Sequence, residues 1–392
     1  MKILYLTFYF EPDLCAGSFR NTPLAKALSK SLCDNDCIEV ITTVPQRYST
    51  YKKDNVVSLE KNNNLHIYRI KLPAHNNNFI GLMNSFRKYF FDTIKKTKNN
   101  DYDLIFASSS RLFTAFLGCI IAQKSKKPLY LDIRDIFAET INDLIKNRFL
   151  KLCIIPIIKI TERITFNNAY HINLISEGFK SYFKSYKCKS YSYFTHGIDE
   201  EFLSVKLSNH NKIDHKYKIV YAGNIGEGQG LEKIVPYAAE LLGNDYTFHI
   251  IGDGGTKAKL QNEIKRKNLI NIELQEPIDR EKLKSIYSEA DFLFIHLNNY
   301  KAFERVLPSK IFELAAYDKP IIAGVTGFSY QFIEKYVNNV VLFKSCDVNS
   351  MVEKLKTYTY RNEYRSKFLE QFRRDDINAQ IVSSILDVIN HN

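Results

Sequence analysis

The chain opens on KILYLTFYF, residues 2–10, and its second half restarts in the same manner with YKIVYAGNIGEGQGLEKIV from Tyr217. Each is an apolar run that leads through a glycine-bearing loop into helical spacing. A strand apolar on both faces belongs between two helical layers, an environment that simple hairpins do not supply. Further strand runs alternate with helical stretches in both halves. The first half has IEVITTV, LHIYRI, DLIFASS and PLYLDIRDIF; the second has FHIIGDGG, DFLFIHL, IIAG and VVLF. This rhythm predicts an α/β chain of two Rossmann-like, doubly wound domains facing a cleft. A length of 392 residues suits two cores better than one. The first domain is expected over 1–206 and the second over 207–375, with the polar run LSNHNKIDHK (207–216) as hinge. A final helix, 376–392, is free to return to the first domain. Residues 141–168 read as one long helical stretch broken at Pro156.

The chemistry concentrates in KAFERVLPSKIFELAAYDKPII, residues 301–322. Two carboxylates, Glu304 and Glu313, lie close in sequence to two cations, Arg305 and Lys310. Pro308 suits the first helical position, where a missing N–H costs nothing. A helix start carries unpaired N–H groups that suit a phosphate, Ser309 and Lys310 stand beside it, and a carboxylate one turn in accepts from a sugar diol. Cations for a diphosphate and carboxylates for hydroxyls are what a nucleotide-sugar requires. In the loop after Tyr217, Gly223, Gly226, Gly228 and Gly230 permit close backbone approach to a ligand. His296 ends a strand near this region and reads either as a site residue or as a structural one.

PSKIFELAAYDKPII resembles the sugar-donor signature of the retaining GT-B glycosyltransferases of family 4. The likeness is greatest to the branch that builds bacterial O-antigen and capsule with N-acetylated amino sugars. It implies that Glu313 holds the donor ribose and Glu304 contacts the transferred sugar. The family spacing has seven residues between the glutamates, and this chain has eight, which leaves the role of Glu304 open. The resemblance places Asn224 and Gln229 where relatives often carry Arg and Lys, so more of the diphosphate falls to Arg305 and Lys310. It sets Glu276 and Pro277 by the nucleobase and Gly17 by the donor phosphate, although Gly17 also reads as a plain turn residue. Arg20 and Asp135 fall on the acceptor side. Many relatives have His before that aspartate; this chain has Arg134. The activity implied is retaining transfer of an amino sugar from a nucleotide-sugar, UDP-linked, to a lipid-linked or saccharide acceptor in surface polysaccharide synthesis. A nucleotide-sugar 2-epimerase of GT-B architecture is the alternative, and a lectin-like module leaves the charge cluster unexplained.

Seven scattered cysteines without a repeated CxxC argue for a reducing compartment and against a disulfide framework or zinc site. No cofactor or metal is expected, the nucleotide-sugar being a substrate. Residues 1–200 hold 29 Lys and Arg against 18 Asp and Glu, while residues 201–392 are nearly balanced at 26 against 25. A basic half attracts nucleic acid or anionic lipid. With no nucleic-acid motif present, the inner face of a membrane is the expected partner of a cytoplasmic, peripheral protein. The stretch FIGLMNSFRKYFFDTIKKTK, 79–98, carries Arg87, Lys88, Lys95, Lys96 and Lys98 at the edge of an apolar stripe. It reads as an interfacial helix or as an ordinary domain helix.

Overall fold

A computed structural model describes residues 1–13, 15–45, 57–73, 79–109, 112–145, 147–203 and 216–391. Most of the run expected as a hinge, 207–216, lies outside the described residues. The chain divides into unit 1, residues 1–195 with 375–392, and unit 2, residues 196–374. The division falls at Thr195/His196, ahead of the boundary expected at 206.

Unit 1 holds β1 (Lys2–Leu6), α1 (Ala16–Lys30), β2 (Cys37–Thr43), β3 (Leu59–Asn62), β4 (Leu65–Ile70), α2 (Phe79–Thr97), β5 (Leu104–Ser109) and α3 (Leu112–Ser125). It continues with β6 (Leu129–Ile133), α4 (Phe137–Leu144), α5 (Arg148–Asn167), β7 (His171–Leu174), α6 (Lys180–Phe183) and β8 (Ser190–Ser192). The strand order is β3-β4-β2-β1-β5-β6-β7-β8, and every pairing is parallel except β3 with β4. Central β1 is apolar on both faces because both are covered: Ile3, Leu4, Tyr5 and Leu6 have no exposed surface.

Unit 2 holds α7 (Glu200–Leu203), β9 (Tyr217–Asn224), α8 (Val235–Leu242), β10 (Tyr246–Asp253), α9 (Lys257–Arg266), β11 (Ile272–Gln275), α10 (Arg280–Glu289) and β12 (Phe292–His296). Then come α11 (Lys310–Leu314), β13 (Ile321–Gly324), α12 (Gly327–Tyr336), β14 (Val340–Phe343), α13 (Val348–Thr357) and α14 (Ser366–Gln371). The all-parallel order is β11-β10-β9-β12-β13-β14. Its core runs from Ile219 and Phe248 through Phe292 and Ile322 to Met351.

The last helix, α15 (Arg374–Asn390), carries the chain back into unit 1. Ile377, Ile381, Ile385 and Val388 recur at helical spacing and are buried, and Tyr130 is hydrogen-bonded to Ser384 at 3.3 Å. Within the stretch 141–168, α4 ends at Leu144 and α5 starts at Arg148, and α5 continues through Pro156. Asn147 caps α5 by accepting from the Phe149 and Leu150 N–H groups. Pro156 stays inside α5, on its exposed side.

Helix α2 is an ordinary domain helix. Tyr89 is buried and donates to the Ile41 carbonyl at 2.8 Å, and Phe86 packs against Phe8 and Phe113. Lys96 lies over the Tyr68 ring and Lys88 pairs with Asp92. Part of its apolar surface is thus spent on the core, while Met83 and Phe91 stay exposed. Among the described residues, no helix is long and apolar enough to cross a membrane.

Candidate functional site

In unit 2 the strand order reverses direction between β9 and β12. In open parallel sheets the crevice beyond the carboxyl ends of such a pair is where ligands bind. The unit 2 residues singled out in the sequence lie at or beyond carboxyl ends of strands of this sheet. Gly223 and Asn224 end β9, with Gly226 and Gln229 in the loop beyond; Glu276 and Pro277 follow β11; residues 301–313 follow β12.

Within the β9 loop neutral groups hold one another, while its acid, Glu227, pairs with Lys259. Asn224 Nδ2 donates to Gln229 Oε1 at 2.7 Å, and the Tyr221 hydroxyl donates to the Asn224 carbonyl at 2.7 Å. A β-carbon on Gly226 would lie 2.3 Å from Asn224 Nδ2, so the amide pair fits only over a glycine. Gly230 has φ +59°, and a β-carbon there would press on Asn298 at 2.9 Å. Asn298, which the sequence reading missed, fastens the loop to the segment after β12. It is buried, accepts from Lys233 Nζ at 2.9 Å, and donates to the Glu227 carbonyl at 2.6 Å. Its signal was present as a polar residue two positions past a strand end at the reversal.

His296 is structural. Its Nε2 accepts from the Cys346 N–H at 2.9 Å, so the proton resides on Nδ1, which donates to the Gln229 carbonyl at 2.6 Å. Burial pulls its pKa down to about 4, and it stays neutral.

Lys301–Glu304 form a 3-10 turn, and α11 is five residues long. Pro308 precedes the first helical position, and its carbonyl accepts from the Ile311 N–H at 3.2 Å. Ser309 is the N-cap but makes no side-chain cap bond. So short a helix sums few peptide dipoles, and most of the attraction for an anion falls to the cations. Lys310 Nζ sits 3.1 Å from both carboxylate oxygens of Glu313. The pair is partly buried, with side chains 28% and 14% exposed. The Tyr287 phenol is raised well above its ordinary value, by burial first and then by the Glu313 carboxylate beside it. Glu304 is exposed, and Arg305 is half-buried. The Glu304 carbonyl lies against Gly327 (φ +61°), where a β-carbon would come within 2.1 Å. Glu276 pairs with Lys257 at 2.5 Å and is 66% exposed, while Pro277 is half-buried.

In unit 1, Gly17 lies in the first turn of α1, and a β-carbon there would meet Arg134 Nη1 at 3.1 Å. Tyr9 Cβ would lie equally close at 3.1 Å, and that less movable contact disfavours a larger residue. Asp135 directly follows Arg134 beyond the end of β6 and accepts from the Thr140 hydroxyl at 3.2 Å. Burial pushes its carboxyl pKa up to about 6.

Arg20 is held inside unit 1 by its own partners. Its guanidinium is 2% exposed and forks onto Asp132, with Nε to Oδ2 at 2.9 Å and Nη2 to Oδ1 at 2.7 Å. It also donates to the Thr195 and Phe194 carbonyls. Asn173 and Ser108 complete the shell around Asp132. Arg20 therefore ties α1 to β6 and to the segment after β8.

Among the described residues, no three His, Cys, Asp or Glu side chains are grouped to hold a metal ion.

Residues 206–375 match the family description "Glycosyl transferases group 1". A segment of 103 residues is 33% identical to the Escherichia coli (strain K12) protein WcaI, named for a glycosyl transferase role in colanic acid biosynthesis. That segment covers 26% of this chain and 25% of WcaI, so the match spans about a quarter of the curated relative. Sucrose-phosphate synthase from Thermosynechococcus elongatus superposes with a TM-score of 0.76 at 14% identity, covering 100% of both chains. HepE from Anabaena, in complex with UDP-glucose, gives 0.68 at 15% identity over 99% of this chain and 100% of its own. At such identities the likeness establishes the fold: an α/β chain of two Rossmann-like domains, GT-B.

Proposed function

We propose that the chain is a glycosyltransferase of bacterial surface polysaccharide synthesis. It moves a sugar from a nucleotide-sugar, UDP-linked, to a lipid-linked or saccharide acceptor. The observation that carries this reading is the Lys310–Glu313 pair, set beyond β12 at the reversal of the sheet and inside the stretch that matches the group 1 description. The match to WcaI and the UDP-glucose held by HepE favour this substrate class.

In this reading the donor diphosphate draws Lys310 toward itself and leaves the Glu313 carboxylate to accept from the ribose diol. Arg305 and Lys310 stabilise charge where it grows as the nucleoside diphosphate departs. Gly223 and Gly226 let the β9 backbone approach the phosphates, and the backbone at Glu276–Pro277 lies by the base. Glu304, on the 3-10 turn, faces the transferred sugar. Gly17 and Asp135 serve the phosphate and acceptor ends in unit 1. Retention at the anomeric carbon, membership of family 4 and an N-acetylated amino sugar complete the proposal. The acceptor places the enzyme at the inner face of the plasma membrane.

The test is to incubate the full chain with UDP- and GDP-sugars, with and without a lipid-linked acceptor. Acceptor-dependent release of UDP with an α-linked product from an α-linked donor is expected. Conversion of the donor sugar without acceptor would instead indicate an epimerase, and inertness toward every donor would refute the assignment.

A further inference from the structure

Helix α5 buries the wrong side of itself for an apolar helix. Ile158, Glu162, Thr165 and Phe166 face the core of unit 1. The opposite side presents Phe149 (76% exposed), Leu152 (74%), Ile157 (63%), Ile160 (60%) and Ile164 (42%). Cys153 and Pro156 are exposed along the same line. The spacings, four, seven, eight, eleven and fifteen residues on from Phe149, put Cys153, Pro156, Ile157, Ile160 and Ile164 on one stripe of a helix about 30 Å long. A contiguous apolar patch of this extent marks a surface that something covers.

Charge indicates what covers it. The cations of α5 are Arg148, Lys151, Lys159 and Arg163; Arg148 and Arg163 are exposed and follow one edge of the stripe, while the Lys159 ammonium turns back to Glu162 at 3.4 Å and over the Tyr182 ring. The helix has one acid, Glu162. It is 1% exposed, turned inward, and accepts from the Tyr182 hydroxyl at 2.6 Å and the Tyr186 hydroxyl at 3.2 Å. The outer face is thus apolar and cationic, with its negative charge withdrawn. A second copy fits poorly, because a two-fold interface sets a patch against itself and would oppose these cations to one another. An anionic bilayer supplies both hydrocarbon for the stripe and counter-charge for its edge.

We propose that the outer face of α5 docks unit 1 onto an anionic lipid surface, the helix lying in the plane of the headgroups. This deepens the proposed function by giving a membrane-borne acceptor a surface at which to meet the enzyme. It also moves the docking element from α2 to α5.

The test is co-sedimentation of the full chain with phosphatidylglycerol-rich and with phosphatidylcholine vesicles at low and high salt, in the absence of donor. Wild type should partition onto the anionic vesicles and release with salt. The variant Phe149→Gln/Leu152→Gln/Ile157→Gln/Ile160→Gln should lose at least about a hundredfold in partition. Arg148→Gln/Arg163→Gln should lose about fivefold per cation and most of the salt dependence. Both variants should keep the wild-type unfolding midpoint and UDP titration, since none of these side chains lies in the unit 1 core or in unit 2. Absence of wild-type partition at low salt overturns the proposal. So does a wild-type dimer by light scattering that ignores vesicles and that the quadruple variant dissociates; that face then pairs two copies. Because vesicle binding needs no donor, docking without nucleotide binding would leave this inference standing and remove the glycosyltransferase reading instead.

Discussion

Replacing Arg20 with Met separates a structural role from a functional one. In the wild type two ionised groups sit together with 2% and 0% of their side-chain surface exposed. Burial alone would push the Asp132 carboxyl up, but the Arg20 guanidinium, with help from Asn173, holds it below the usual carboxylate range. Arg20→Met deletes the compensating charge and leaves Asp132 buried with only the Asn173 amide and Ser108 hydroxyl as donors. Removing one partner of a buried pair costs about 3–5 kcal/mol. Against a total stability of about 5–15 kcal/mol, that is a large fraction. Urea unfolding followed by circular dichroism should show the loss as a lower midpoint with an unchanged slope. Asp132→Asn added to Arg20→Met should recover part of it, because the uncompensated charge disappears. If Arg20→Met unfolds within about 0.5 kcal/mol of wild type while transfer to an acceptor is abolished, Arg20 is an acceptor residue after all and the structural reasoning fails.

The other expectations are briefer. Glu313→Gln should weaken UDP binding by roughly 1.5–3 kcal/mol in calorimetry, the worth of a charge-assisted hydrogen bond; unchanged affinity would exclude the ribose role. Arg305→Ala should lower turnover at least about tenfold with little change in unfolding midpoint, and Lys310→Ala should lower it as much with a modest drop in midpoint from leaving Glu313 unpaired; early unfolding with normal turnover of the folded fraction would make them structural. The Asp135 carboxyl is raised from 3.8 to about 6 in the folded chain, so its ionisation costs stability above about pH 6 and nothing below about pH 4. Asp135→Asn should therefore stabilise by about 1–2 kcal/mol at neutral pH after allowing for partial exposure, the gain vanishing near pH 4. If Asp135 also meets the acceptor, the same variant should transfer more slowly. EDTA should leave turnover largely intact, and a strict divalent-ion requirement would contradict the proposed use of cationic side chains at the leaving group.

The strands were legible both where the two faces are covered, as in IIAG, and where burial alternates, as in LHIYRI and VVLF. All three are strands over their full lengths. The clustering of Gly223, Gly226 and the 301–313 segment at carboxyl ends was legible too, since strand, loop and helix alternate without interruption. Partners far apart in sequence were not. Arg20 looked like a cation opening a helix beside a ligand loop, and only the fold brings Asp132, 112 residues on, against it. His296 carries the same lesson: a histidine at a strand end is chemically suggestive until Gln229 and Cys346 are seen to occupy both ring nitrogens. For α2 and α5 the sequence offered two apolar helices with lysines, and the basic flank of α2 drew attention. Which stripe is buried depends on what packs against it, and periodicity does not carry that information.

The loop after β9 and the Lys310–Glu313 pair are best understood together. Asn224 and Gln229 satisfy one another and the loop's acid, Glu227, pairs with Lys259, so the loop contributes shape and backbone N–H groups but no cation. On the proposed reading a diphosphate arriving there needs positive charge from elsewhere, and Lys310 holds it in reserve against Glu313. The pair is partly buried, so each partner is already substantially desolvated when the ligand arrives. On the proposed reading, exchanging Glu313 for a diphosphate at Lys310 replaces one anionic partner with another, and the released carboxylate gains the ribose hydroxyls in the same step. Neither group passes through an unpaired buried state, which would be the costly route. The same logic explains why a five-residue helix suffices at this position. Its dipole is not asked to bind the phosphate alone; its geometry sets Lys310 and Glu313 three residues apart on one face, where a single ligand spanning phosphate and ribose engages both.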